Sequence, residues 1–176
     1  MKFYSKLILL TLICVGFANC SGDKDKEINK EPIISTFYLI RHAEKDRSDS
    51  TNIDPELTQQ GLDRAIRWAE IFDKVSINAI YSTNYERTQM TAAPIAIKKN
   101  LDVQTYDPKN LDVEAFLMDN EGFNVLIVGH SNTTPDFANK LLKMEKYEAM
   151  DDTDNGSLFI VRVVDGKASD IRLNIN

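Results

Sequence analysis

The chain has 176 residues, 43% of them apolar, and carries 27 acidic against 21 basic side chains for a formal net charge of −6. That length allows one domain of ordinary size, and that apolar fraction excludes wholesale disorder. The acidic balance argues against a nucleic-acid partner, because a phosphate backbone needs a basic face.

The front end reads differently from the rest. Lys2 and Lys6 form a positive region, the apolar run "LILLTLICVGF" follows over 7–17, and Ala18, Asn19 and Cys20 come next. This is the layout of a secretory signal over 1–19, and the run is too short to remain as a membrane span. "GFANC" resembles the lipobox of bacterial lipoproteins, which implies cleavage before Cys20 and a lipid on its thiol. The alternative is a plain secreted protein cleaved nearby. In both cases Cys14 leaves with the signal, so no intrachain disulfide forms. Residues 20–34 begin with "CSGDKDKEINKEP", polar and without periodicity, and read as a flexible tether. The expectation is an exported protein facing the periplasm or cell surface, in contact with a membrane through its anchor only, with one folded domain over 35–176.

Within that domain short apolar runs alternate with amphipathic stretches. "TFYLI" (36–40) reads as a first strand. "LTQQGLDRAIRWAEIFDKV" (57–75) is a helix, with Leu62, Ala65, Ile66, Ala69 and Phe72 at helical spacing and Thr58 as N-cap. "NAIYS" (78–82) is a second strand, followed by a helix from about Tyr85 to Lys99 that Pro94 should kink. "DVQTY" (102–106) reads as a strand and "DVEAFLMDN" (112–120) as a short helix. "NVLIVGH" (124–130) is a continuous apolar strand of the kind covered on both faces, and "TPDFANKLLKM" (134–144) a helix with Pro135 in its first turn. "SLFIVRVV" (157–164) and "DIRLNI" (170–175) are late strands at a sheet edge. The alternation predicts an α/β fold, a three-layer α/β/α sandwich with a mostly parallel central sheet and right-handed crossovers.

Ligands of such sheets bind beyond the carboxyl ends of the strands. The first strand ends in Arg41-His42, the second leads into "STNYERTQ" with Arg87, and the strong late strand ends in Gly129-His130-Ser131. The only two histidines of the chain and two arginines therefore fall where one pocket would form. Such a pocket suits a phosphoryl group: guanidinium matches phosphate oxygens and stays charged, and neutral imidazole is a competent nucleophile. The N-terminus of the helix carrying Arg87 is expected to add backbone donors and a favourable dipole. "GHSNT" is not a serine nucleophile elbow, since Thr133 stands where that motif needs glycine.

"RHAEK", "LTQQGLDRA", "STNYERTQMTA" and "GHSN" follow one another in an order that resembles the histidine phosphatase superfamily, the clan of phosphoglycerate mutases and acid phosphatases. The chain is also similar to its short, phosphohistidine-phosphatase-like members. The resemblance implies a metal-independent phosphatase without a cofactor, acting on a small phosphorylated substrate, a phosphomonoester, or on a phosphorylated surface molecule. It makes His42 the nucleophile that carries the phosphoryl group, Arg41 and Arg87 the ligands of its oxygens, and His130 a donor to those oxygens as charge shifts. The general acid is expected to be Glu114, between the second arginine and the second histidine, with Asp107, Asp112, Glu44 and Asp136 as rivals. Two further readings stand beside the phosphatase: a mutase-like phosphotransferase and a non-catalytic phospholigand-binding module.

Overall fold

The computed structural model describes residues 31–175. The expected signal over 1–19, Cys20 and the tether as far as residue 30 lie outside the described residues. In chain order the elements are β1 (Ile34–Arg41), α1 (Gln59–Ile71), β2 (Ala79–Ser82), α2 (Glu86–Lys99), β3 (Val103–Thr105), α3 (Val113–Asp119), β4 (Asn124–Gly129), α4 (Thr133–Leu142), β5 (Ser157–Val164) and β6 (Lys167–Asn174). No helix among the described residues is long and apolar enough to cross a membrane.

The six strands form one sheet in the order β3-β2-β4-β1-β5-β6. The first four run parallel, and β5 and β6 add an antiparallel edge. Alternation along the strands sorts the core into two layers. Phe37, Leu39, Val125 and Ile127 face the side covered by α3 and α4, where Phe116, Phe137 and Leu141 meet them. Ile40, Leu126 and Val128 face the other side, against Trp68 and Phe72 of the α1 end and Ile95 of α2. Each such buried side chain contributes on the order of 1.5–3 kcal/mol over an exposed one. The expected sandwich is the observed one.

Two local features hold the strand-end loops in place. Thr58 caps α1, accepting from the Gly61 amide at 3.1 Å. A side chain at Gly61 would put its Cβ 2.2 Å from the Glu44 carbonyl oxygen, so only glycine lets α1 sit this close to the loop after β1. The β5–β6 hairpin turns through Asp165 and Gly166, both at positive φ, the signature of a tight turn matched to strand twist. The first helix is shorter than its periodicity suggests: it ends at Phe72, whose amide returns to Trp68 and Glu70, and the chain turns through 73–75. The α2 helix continues through Pro94 to a left-handed Asn100.

Candidate active site

The register of two neighbouring strands brings the histidines together. Arg41 pairs with Gly129 across β1 and β4, so the residues that follow, His42 and His130, leave the sheet side by side. Their ring centroids lie 5.5 Å apart. The backbone at His42 is held on three sides. Its amide donates to the Gly129 carbonyl at 3.0 Å, its carbonyl accepts from Asn155 Nδ2 at 2.8 Å, and the next amide, of Ala43, donates to Thr91 Oγ1 at 2.9 Å. Gly129 is required at the turn, because a Cβ there would meet Thr134 Oγ1 at 2.8 Å.

His42 is 3% exposed, and its Nδ1 lies 2.7 Å from the Ala43 carbonyl oxygen. A carbonyl only accepts, so Nδ1 carries the proton and the Nε2 lone pair is free. Burial pushes the imidazole down to about 3; the Ala43 bond acts against this, and Arg41, His130 and Arg87 act with it. His130 is pushed down to about 4, first by burial and then by Arg87, Arg41 and Lys45. Both rings are therefore neutral at neutral pH, which a nitrogen nucleophile requires. His130 Nε2 sits 2.9 Å from Thr83 Oγ1, at the end of β2, and its ring meets Tyr85 edge-on at 5.0 Å.

Arg87 arrives from the first turn of α2. Its guanidinium lies over the Tyr85 ring at 4.3 Å and donates from Nη1 to Asp54 Oδ1 at 3.2 Å. The same Asp54 oxygen accepts the Glu86 amide at 3.0 Å. One amide of the first turn of α2, that of Glu86, is therefore taken by a carboxylate of the chain.

His42, Arg87 and His130 line one cavity of about 500 Å³, together with Lys45, Tyr85 and Asp152. Arg41 does not line it. At the end of a strand consecutive side chains part to opposite faces, and Arg41 is 1% exposed. Its Nη1 donates to the carbonyls of Asp151 and Asp154 at 2.9 and 3.2 Å, and its Nη2 to Asp152 Oδ1 at 2.8 Å. Only Nε is left without a partner. Arg41 thus acts on the histidines through its charge and organises the 151–154 loop.

Glu114 is not brought to the site. It pairs with Lys143 at 2.8 Å and lines a different cavity, of about 540 Å³, with Ile33, Ser35 and Asp165. That cavity lies by the start of β1, whereas His42 follows its end, about 23 Å away at roughly 3.3 Å per residue. The expected acid is corrected accordingly: the short helix α3 packs so that Glu114 faces the opposite end of the sheet. Of its rivals, Asp112 caps α3, Asp107 holds its own turn through Lys109 and Asn110, and Glu44 is paired with Arg64 at 2.8 Å. Asp136 does line the cavity of His42 and His130, and it pairs with Lys140 at 2.9 Å.

Sequence patterning alone does not single out Thr83, Lys45, Asp54 or Asp152. Thr83 is legible in principle, since it follows β2 directly. Asp152 has no local signal. Among the described residues no group of three or more His, Cys, Asp or Glu side chains is placed to hold a metal ion.

The fold is one that solved phosphatases share. Residues 37–108 match the histidine phosphatase superfamily (branch 1). The mycobacterial glucosyl-3-phosphoglycerate phosphatase superposes with a TM-score of 0.63 at 14% identity, over 81% of this chain and 100% of that one. The protein histidine phosphatase SixA, solved with tungstate, gives 0.62 at 15% identity over 79% and 96% of the two chains. A phosphoserine phosphatase variant from Entamoeba histolytica, in complex with phosphoserine, gives 0.61 at 16% identity over 81% and 96%. No curated protein sequence matches the chain.

Proposed function

We propose that this protein is a histidine phosphatase that hydrolyses small phosphomonoesters through a phosphohistidine on His42. One observation carries the reading: the bond from His42 Nδ1 to the Ala43 carbonyl leaves Nε2 as a free nucleophile in the same cavity as Arg87 and His130. His42 Nε2 attacks phosphorus, and the ester oxygen departs with the bonding pair. Arg87 holds the equatorial oxygens by its fixed fork, and His130 donates to them as negative charge gathers there. Arg41 supplies positive charge from behind and has one unpartnered donor, Nε. Water then attacks the phosphohistidine, releasing inorganic phosphate and restoring His42. Phosphoryl transfer asks mainly for positioning and charge stabilisation, which fixed side chains provide. The solved neighbours named above support the reading, since their own names describe phosphatases.

We place the enzyme outside the cytoplasm, exported by residues 1–19 and anchored through a lipid on Cys20. A mutase-like role fits less well, because the cavity is bounded by open loops and a mutase must retain its phosphoryl group.

The test is chemical trapping. Incubation with a labelled phosphomonoester, followed by a quench, should leave base-stable, acid-labile phosphate on the protein. His42→Ala should lose both label and turnover. Full hydrolysis by His42→Ala would falsify the nucleophile assignment, and stoichiometric binding without turnover by the unaltered protein would make it a phospholigand-binding module.

A further inference from the structure

An ester whose leaving group is an alkoxide needs a proton on the departing oxygen, and the carboxylates of this protein are badly placed to give one. Glu114 is at the far end of the sheet and Glu44 is held by Arg64. Two carboxylates line the catalytic cavity. Asp152 bridges Arg41 at 2.8 Å and Arg47 at 2.7 Å, and both cations keep it ionised. Asp136 is half-exposed and paired with Lys140. His130 is neutral at working pH, and a neutral imidazole is a very weak acid.

Two lysines line the cavity: Lys109, exposed in the turn that Asp107 holds, and Lys45, in the loop directly after β1. Lys45 lies three residues after His42 and shares the cavity wall with His42, Arg87 and His130. Its backbone is fixed by a bridge to Leu57, flanked by the Asp46 amide on the Glu56 carbonyl at 2.8 Å and the Thr58 amide on the Glu44 carbonyl at 2.9 Å. Among the described residues no carboxylate lies within ion-pair distance of its ammonium. The charged groups around it are Arg47 of its own loop, Arg87 of α2, Arg41 of β1 and, as the one opposing charge, Asp152 of the loop before β5.

We propose that Lys45 is the proton donor to the leaving oxygen, an assignment that rests on the phosphatase reading above. In the first step a bond forms from His42 Nε2 to phosphorus, the P–O bond to the alcohol breaks with its electron pair on oxygen, and the Lys45 ammonium gives that oxygen a proton. The alcohol leaves, and Lys45 is left as a neutral amine. In the second step water attacks phosphorus, the amine takes a proton from that water, and the P–N bond breaks with its pair returning to His42. Inorganic phosphate leaves, and both side chains regain their starting states. Burial, together with Arg47, Arg87 and Arg41, lowers the affinity of Lys45 for its proton, which eases the first step.

The experiment compares two leaving groups, p-nitrophenolate, which departs without a proton, and the alkoxide of β-glycerol phosphate, which does not. In Lys45→Met, kcat/KM reports phosphoryl transfer to His42, and it should fall by about 10²–10⁴ for glycerol phosphate but by less than about tenfold for p-nitrophenyl phosphate. The p-nitrophenyl arm also reports that the variant is folded. Because the second step is slowed as well, this variant should accumulate phosphohistidine and show a burst of p-nitrophenolate. Lys45→Arg keeps the charge but cannot release a proton at working pH, so it should behave like Lys45→Met. Equal losses with both substrates, or restoration of glycerol phosphate turnover by Lys45→Arg, would overturn the assignment while leaving the phosphatase reading intact. Absence of phosphohistidine in the unaltered protein would instead sink that reading, and the proton donor with it.

Discussion

The burial of two neutral imidazoles among cations makes this fold sensitive to acid in a way that can be worked out in advance. An ordinary imidazole titrates near 6.5, whereas folding pushes His42 down to about 3 and His130 to about 4. The unfolded chain therefore takes up protons below about pH 6.5 that the folded protein refuses. The sign is fixed: the folded state loses stability as pH falls from the unfolded value toward the folded ones, and above that window the two groups have no effect. At about 1.4 kcal/mol for each pH unit below the unfolded value, going from about pH 7 to about pH 5 removes about 2 kcal/mol at His42. His130 is more exposed, so its share is somewhat smaller. Together they come to roughly 3–4 kcal/mol, a large part of the ~5–15 kcal/mol that holds a domain together. The assay is urea unfolding at both pH values for the unaltered protein and for a His42→Gln/His130→Gln double variant. Depressed carboxylates such as Asp152 titrate in both proteins and cancel in the difference. The double variant should lose about 3–4 kcal/mol less on acidification. Equal losses in the two proteins would refute the claim that the site holds its histidines uncharged.

Two other outcomes follow from features away from the chemistry. Gly61→Ala drives a Cβ to 2.2 Å from the Glu44 carbonyl oxygen, a backbone atom that cannot rotate away; it should cost about 1–3 kcal/mol in urea unfolding, and an unchanged midpoint would mean that α1 is free to shift. Cys20→Ala should abolish metabolic labelling with palmitate, and persistent labelling would place the lipid elsewhere.

Much of the fold is legible in the sequence because its signals are local. The apolar runs of β1 and β4, the Thr58 cap and the alternation of strand and helix need no tertiary knowledge. The residues after the strands are legible for a related reason: in a parallel sheet, strand ends fall at one edge, so "RH" and "GH" have to be neighbours once their strands are adjacent. What the sequence hides is direction. The order that offers Glu114 as an acid carries no information about which end of the sheet α3 faces. Arg41 is expected at the right strand end but lies outside the cavity that His42 lines, because consecutive side chains part to opposite faces and the loop that claims it, at 151–154, is about 110 residues distant in the chain. Asp54 and Lys45 sit in a polar loop whose composition suggests only solvent exposure; it takes the bridge from Lys45 to Leu57 to fix that loop beside the histidines.

The pairing of Arg41 with Gly129 has a consequence for how this protein can vary. The spacing of His42 and His130 is written into the ladder between two central strands, and no loop can adjust it. Removing a single residue from within β1 would carry Ala43 into the place of His42 and, on the proposed mechanism, abolish turnover even if the fold survived. The 46–56 segment, by contrast, could lengthen or shorten at its tip while the two rings kept their separation. The rim of the cavity is thus free to change while the weave of the sheet holds the histidine pair constant.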